Sequence, residues 1–272
     1  MPKKLESKFL IKLYALQRHV MWHQLSDRLD LVLVPEFPKS GGSWFSQMLG
    51  DSLGIPFPRL ERPPLQKCVM QGHHVYSPNF STKNMVCVLR DGRDILVSFY
   101  HHMYFGSKLQ PSFAAPTWRR KAPFDNFEDV RENMPAYIEY MFTDYANEGR
   151  HFHWKTFVDS YWGRDILFVR YEDLLTQPVD ELARVTEHLK GTPVDRQRIA
   201  EIVRKYSFEN QAKRKRGSEN KKSFLRKGIS GDWKNYFSQE ACEVFDRYAG
   251  DTLIKTGYEK DRSWVQQHVQ EH

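Results

Sequence analysis

Cysteine is scarce in this chain, with Cys68, Cys87 and Cys242 the only three among 272 residues. They are widely spaced and odd in number, and no Cys-x-x-Cys pair occurs. This excludes a disulfide framework and a cysteine-built zinc site. They read as buried, inert thiols in a reducing compartment. Uninterrupted apolar runs of about 18 residues are also missing, so no transmembrane helix is expected. Near the start, Lys8, Lys12 and Arg18 interrupt the apolar residues, and no small-residue cleavage site follows. No secretory signal is therefore expected, the Asn79-Phe80-Ser81 sequon reads as a chance match, and the expected location is cytoplasmic. Repeats, low-complexity tracts and Gly/Ser linkers are lacking. The expectation is a single domain over 1–272, with an N-terminal helical segment (1–28), a core (29–260) and a C-terminal tail (261–272).

What is present suits one large α/β core, since 40% of residues are hydrophobic and 14% aromatic. The net charge of +7 suits an anionic partner, whether nucleic acid, membrane surface or a small polyanion. In residues 7–28, Phe9, Leu10, Leu13, Leu16 and Val20 stand near helical spacing. This segment reads as a helix packed on the body, with peripheral membrane contact as the alternative. Leu31–Val34, Met85–Leu89 and Asp165–Val169 are short continuous apolar runs of the kind found in buried parallel strands. Helices are expected from Ser43 to Gly54, from Arg93 to Met103, and after Pro178, where Asp180 and Glu181 follow and Gly191 ends the segment. Strands alternating with helices imply an α/β fold: a central parallel β-sheet flanked by helices, with ligands bound beyond the carboxyl ends of the strands.

Three motifs fall at those ends. Phe37-Pro38-Lys39-Ser40-Gly41-Gly42-Ser43-Trp44 is a Gly-rich turn leading into a helix, where backbone amides make an anion cradle. Lys39 adds a positive charge, and Ser40 and Ser43 add hydroxyls. The lysine precedes the glycines, unlike the nucleoside-triphosphatase pattern. In the second motif, Arg90 through Ser98, the arginine can fork onto a phosphate and the serine can donate to the same group. The third, Phe224 to Lys234, places Arg226-Lys227 before Gly228 and Gly231, suiting a loop that closes over a polyanion.

These segments, in this order, resemble the sulfotransferase family that uses 3′-phosphoadenosine 5′-phosphosulfate (PAPS). Pro38 to Trp44 is similar to its P-loop-like phosphosulfate-binding loop, Arg90 to Ser98 to its 3′-phosphate signature, and Arg226 to Lys234 to its C-terminal clamp. Arg170-Tyr171-Glu172-Asp173-Leu174 and Tyr206-Ser207-Phe208 match two further segments, and the likeness runs from about Leu31 to Tyr258. The resemblance implies transfer of a sulfuryl group from PAPS to a hydroxyl or amine, by in-line displacement with a histidine base and 3′-phosphoadenosine 5′-phosphate (PAP) as product. Lys39 is then expected at the bridging oxygen. The amides of Ser40, Gly41, Gly42, Ser43 and Trp44 would hold the 5′-phosphate. Arg90 and Ser98 would take the 3′-phosphate, with Arg226, Lys227 and Gly228 closing over it. Trp44 and Phe208 are expected to sandwich the adenine, with Ser207 and Tyr171 nearby; core aromatics are the alternative reading for these rings. The catalytic set is Lys39, His73 and Ser98, and no metal is expected.

The base falls in Gly72-His73-His74-Val75-Tyr76, where His73 is preferred and His74 stays open. His101 and His102 read as packed helix residues. Gly42 stands where the family usually has a hydroxyl residue, and Gln71 where many members have lysine. Lys234 and Glu243 partly match the family's dimer motif, so monomer and homodimer both stay open. The acceptor is expected to be a small molecule, a lipid or a carbohydrate, walled by residues 104–160, including Tyr104, Phe105, Trp118, Arg119 and Arg120. A phosphate-loop kinase would need a lysine after the glycines and a magnesium-binding acid. A nucleic-acid module would rest on Lys213-Arg214-Lys215-Arg216, a run that more often forms a solvated face, so no nucleic-acid partner is expected.

Overall fold

The structure is a computed structural model that describes residues 8–59, 61–106, 115–148, 151–221, 223 and 225–270. Phe224 and the side chain of Phe9 lie outside the described residues, as do residues 1–7 of the N-terminal segment and 271–272 of the tail. In chain order the elements begin with α1 (Lys8–Gln24), β1 (Val32–Pro35), α2 (Gly42–Leu53), β2 (Val69–Gly72), β3 (Val86–Leu89) and α3 (Gly92–Phe105). Then come α4 (Ala115–Arg119), α5 (Val130–Phe142), α6 (Asp144–Asn147), α7 (Trp154–Tyr161), β4 (Leu167–Arg170) and α8 (Tyr171–Thr176). The last are α9 (Pro178–Lys190), α10 (Arg196–Lys205), α11 (Phe208–Ala212), α12 (Gln239–Lys255) and α13 (Trp264–Gln270), with a 3₁₀ turn at Asp232–Asn235. Two compact units result: Met1–Glu36, Gly41–Leu89 and Gly163–Tyr206 form one, and Phe37–Ser40, Arg90–Trp162 and Ser207–His272 form the other.

The first unit carries the four strands found among the described residues. β1 pairs in parallel with β2, and β3 with β4. Parallel bridges Leu33–Met85 and Glu36–Val88 join the two pairs, so the order is β2-β1-β3-β4. β1 and β3 are buried on both faces, which is why their sequences are continuously apolar. Val32, Val34, Val86 and Val88 point to one face and pack against Phe45, Met48 and Leu49 of α2, Leu182 and Val185 of α9, and Ile199 of α10. α2 and α9 both stop at a glycine in the left-handed region, Gly54 (φ +69) and Gly191 (φ +68), as their sequences predict.

Two details of the first unit differ from expectation. β2 was not foreseen, because only Val69 and Met70 are apolar and buried while Gln71 and Gly72 are half-buried. In α1, Leu13 and Leu16 are exposed, and Met21 and Trp22 are the buried anchors. Trp22 packs against His74 with ring centroids 4.8 Å apart, and Gln17 donates to the Pro63 carbonyl at 2.8 Å. The C-terminal half of the helix therefore carries the docking.

The second unit is helical. Its α3 is buried from Gly92 to Tyr104 except at Ser98. Gly92 is required by close approach, since a Cβ there would lie 2.6 Å from the Trp154 ring. Arg93 is buried between the indoles of Trp233 (3.9 Å) and Trp264 (4.7 Å) and is paired with Asp91 and Glu259. This explains why the C-terminal stretch, expected as a tail, forms α13 with Trp264 and Val265 buried. Tyr104, expected in an acceptor wall, is fully buried against Tyr100 and Tyr137. No helix among the described residues is long and apolar enough to cross a membrane.

Candidate active site

In the first unit the turn into α2 is built around a carboxylate. Gly41 adopts φ +90 and caps the helix without a side chain. A Cβ on Gly41 would lie 2.6 Å from Cδ2 of Tyr171, so the buried Tyr171 ring lies directly on the loop backbone. The Gly42 amide, at the start of α2, donates to Oε2 of Glu36, a residue 3% exposed. Glu36 Oε1 accepts from the Gln71 side-chain amide, and Gln71 Oε1 accepts from the Ser43 hydroxyl at 2.9 Å. A Cβ at Gly42 would collide with the Glu36 carboxyl group. The glycine that departs from the family pattern is therefore dictated by Glu36. Trp44 is half-buried, donates from its indole to the Tyr206 carbonyl at 2.8 Å, and meets Tyr171 edge-on at 6.1 Å.

The two adjacent histidines have different surroundings. His73 Nδ1 lies 3.1 Å from the Glu36 carbonyl oxygen. A carbonyl only accepts, so Nδ1 carries the proton in this bond and the neutral ring keeps Nε2 as its basic nitrogen. His74 turns instead to the α1 interface, against Trp22, His23 and Phe80. Burial, reinforced by His23, His73 and His19, lowers its pKa to about 4. This is the environment of a packed, neutral imidazole.

In the second unit the three sequence motifs meet at one guanidinium. Arg90 is buried, and donates to the Lys39 carbonyl at 3.0 Å and to the Ile229 carbonyl at 3.1 Å. Lys39 itself has φ +77, an uncommon and costly conformation for a residue with a side chain. Asp94, also buried, accepts from the amides of Gly231 (2.7 Å) and Trp233 (2.9 Å), tying the third motif to α3. Burial raises its pKa, with Arg90 opposing. Ser98 is the one half-open position in the buried run of α3.

The adjacent cations of the third motif, Arg226 and Lys227, are held by internal carboxylates. Arg226 donates to Glu219 at 2.5 Å and also to Asp232, and Lys227 donates to Asp232 at 2.7 Å. Burial works to raise the Asp232 carboxyl, but Lys227 and Arg226 outweigh it and hold it below its ordinary value. Gly228 has φ +68, and a Cβ there would collide with the Phe208 ring. Arg214, from the basic run, stands 5.0 Å over the same ring and donates to the Arg226 carbonyl at 2.6 Å, so this arginine is used within the fold. Ser207 caps α11 by accepting from the Asn210 amide. His101 and His102 are buried. Burial, then Arg226 for the first and Lys39 for the second, lowers each to a pKa of about 3.

The sulfotransferase-domain family model matches residues 70–257. The chain belongs to the sulfotransferase family. It is 31% identical over 191 residues to a flavonol sulfotransferase-like protein of Flaveria bidentis, covering 65% of this chain and 56% of that protein. It is 30% identical over 203 residues to flavonol 4′-sulfotransferase of Flaveria chlorifolia, with coverages of 68% and 58%. The chain thus spans rather more than half the length of these plant relatives. With sulfotransferase 1B1 of Canis lupus familiaris the identity is 25% over 269 residues, covering 82% and 83%. Among solved structures, mouse sulfotransferase SULT7A1 complexed with PAP shares the fold at a TM-score of 0.57 and 18% identity, covering 89% of this chain and 88% of that one. Retinol dehydratase in complex with androsterone and PAP gives a TM-score of 0.58 at 18% identity, covering 89% and 85%.

Sequence reasoning missed three carboxylates: Glu36, Asp94 and Asp232. Asp94 and Asp232 sit inside the second and third motifs but carried no assigned role. Glu36 had one legible signal, an acid just ahead of a loop in which glycine replaces the expected hydroxyl residue. Among the described residues, no group of three or more histidines, cysteines and acids is placed to hold a metal ion.

Proposed function

We propose that this chain transfers a sulfuryl group from PAPS to a hydroxyl or amine on a small-molecule acceptor, by in-line displacement with His73 as general base. The observation that carries this reading is the Arg90 guanidinium, which links the carbonyls of Lys39 and Ile229 and so holds residues of all three motifs together. The buried Ser40 hydroxyl, which has no hydrogen-bond partner among the described residues, suits an incoming phosphate oxygen. The loop amides from Ser40 to Trp44 would bind the 5′-phosphate, with the Ser40, Gly42 and Trp44 amides shared with Phe37, Glu36 and Gly41 of the protein itself. Arg90 and Ser98 would bind the 3′-phosphate, with Arg226, Lys227 and Gly228 over it. Trp44 and Phe208 would offer ring faces to adenine, with Ser207 and Tyr171 supporting.

In the reaction the acceptor oxygen or nitrogen attacks sulfur while its proton passes to Nε2 of His73. The bond between sulfur and the bridging oxygen breaks, and its electron pair leaves on PAP, where Lys39 neutralises the developing charge. Like phosphoryl transfer, this chemistry depends on positioning and charge stabilisation, and a placed general base contributes about 10²–10⁴ in rate. The flavonol-named relatives support a small aromatic alcohol as the first acceptor to try. Calorimetry with PAP, and with adenosine 5′-phosphate as control, tests the donor assignment. Micromolar PAP binding that is lost in Arg90→Ala and Lys227→Ala is expected. Equal binding of the two nucleotides, or none, would overturn it.

A further inference from the structure

Glu36 places a buried negative charge in the anion cradle itself. Its carboxylate takes the first amide of α2, a donor group that would otherwise face an anion. Gly42 gives up its side chain to make room, and Gln71 supplies the second hydrogen bond. The arrangement is therefore built, with α2 and β2 both shaped around one carboxylate. The ionisable groups that interact with Glu36 include Arg59, ahead of β2, and the Cys87 thiol on β3, while His73 holds its backbone carbonyl.

We propose that Glu36 is a specificity-determining residue that weakens binding of the product nucleotide relative to the donor. The inference rests on the donor assignment above. In PAPS the sulfuryl oxygens carry one negative charge, which leaves with that group, and the 5′-phosphate, bonded through oxygen to sulfur, carries one more. After transfer it is a terminal phosphate with a charge of about −1.5 to −2 near neutral pH. The added charge arises beside a carboxylate already in the cradle, and like charges at close range in a partly desolvated site repel strongly. The site thus tolerates the substrate phosphate and disfavours the product phosphate, which promotes release after each turnover.

Glu36→Gln tests this with little change of shape. The new amide oxygen accepts from the Gly42 amide. Its NH₂ is satisfied if the Gln71 amide turns over to present its oxygen, and the Ser43 hydroxyl then accepts from the Gln71 NH₂. Calorimetry at pH 8 compares PAP with its 5′-O-methyl ester, which keeps a single charge at that phosphate. In the native protein the ester should bind as tightly as PAP or more tightly. In Glu36→Gln the preference should move toward PAP by about ten-fold. A loss of loop structure would weaken both ligands together, so the ratio separates charge from scaffold. An unchanged ratio, with both ligands binding, overturns the role of Glu36 and leaves the donor assignment standing. Should the variant not fold, the native protein alone decides: PAP bound ten-fold more tightly than its ester would refute the proposal. No binding of either nucleotide to the native protein would overturn the donor assignment and this inference with it.

Discussion

Replacing Gly41 by alanine should destabilise the protein through two separable effects. The backbone effect comes from φ +90, since a left-handed conformation costs a non-glycine residue about 1–2 kcal/mol. The packing effect comes from the new Cβ, 2.6 Å and 2.9 Å from Cδ2 and Cε2 of Tyr171. That ring is only 8% exposed, so it cannot swing freely aside, and overpacking of this kind costs about 1–3 kcal/mol. Together they amount to about 2–5 kcal/mol, or a fall of about 10 °C in melting temperature for a chain of this size. Gly191→Ala is the control, because Gly191 has φ +68 and a Cβ there would meet nothing within 4 Å. It should lose the backbone part alone, about 4 °C. In a Tyr171→Ala background the Gly41→Ala loss should shrink toward that of the control, a coupling of about 1–3 kcal/mol. Thermal unfolding of the four variants measures all of this. Equal losses at the two glycines, or no coupling to Tyr171, would refute the claim that the ring rests on the loop.

Once an acceptor is found, His73→Ala should lower kcat by about 10²–10⁴. His74→Phe, acting at the α1 interface, should leave kcat within a few-fold; the reverse pattern in steady-state assays would exchange their roles. His74 also predicts a pH effect on stability. Its folded pKa is lowered to about 4 from an unfolded value near 6.5, so its contribution is complete above 6.5 and is lost as pH falls toward 4. The loss is at most about 3 kcal/mol. Melting curves between pH 7 and 4 should show a shallower fall in His74→Phe than in the native protein. Asp232→Ala leaves Arg226 and Lys227 without their shared buried partner and should cost about 3–5 kcal/mol, read by denaturant titration. Because the Asp232 carboxyl is held below its ordinary value, its stabilisation is complete above about pH 4 and vanishes as pH drops further. Asp232→Asn should accordingly flatten the acid limb of the stability profile.

Elements were legible in the sequence wherever local chemistry and burial agree. Val32–Val34 and Val86–Leu89 are apolar at every position because both faces of those strands are covered, and α2 and α9 end where a glycine takes the left-handed conformation. The motifs around Lys39, Arg90 and Arg226-Lys227 likewise carried the resemblance to the sulfotransferase family, to which the chain belongs. β2 escaped notice because its last two residues serve the loop and not the core: Gln71 holds Glu36, and Gly72 makes room for Trp22 and His74. The exposed Leu13 and Leu16 show the same limit in α1, where helical periodicity identified the helix but not the face that docks.

Partnership became visible only once the chain was folded. Glu36 lies 35 residues before Gln71, and Asp94 lies 137 residues before Gly231. A carboxylate's role depends on which donors surround it after folding, and periodicity and composition carry no information about contacts at such separations. The surroundings of His73 and His74 followed the same rule, since adjacent, identical side chains beyond β2 turn in different directions. One meets a carbonyl that sets its tautomer, and the other meets an indole that buries it.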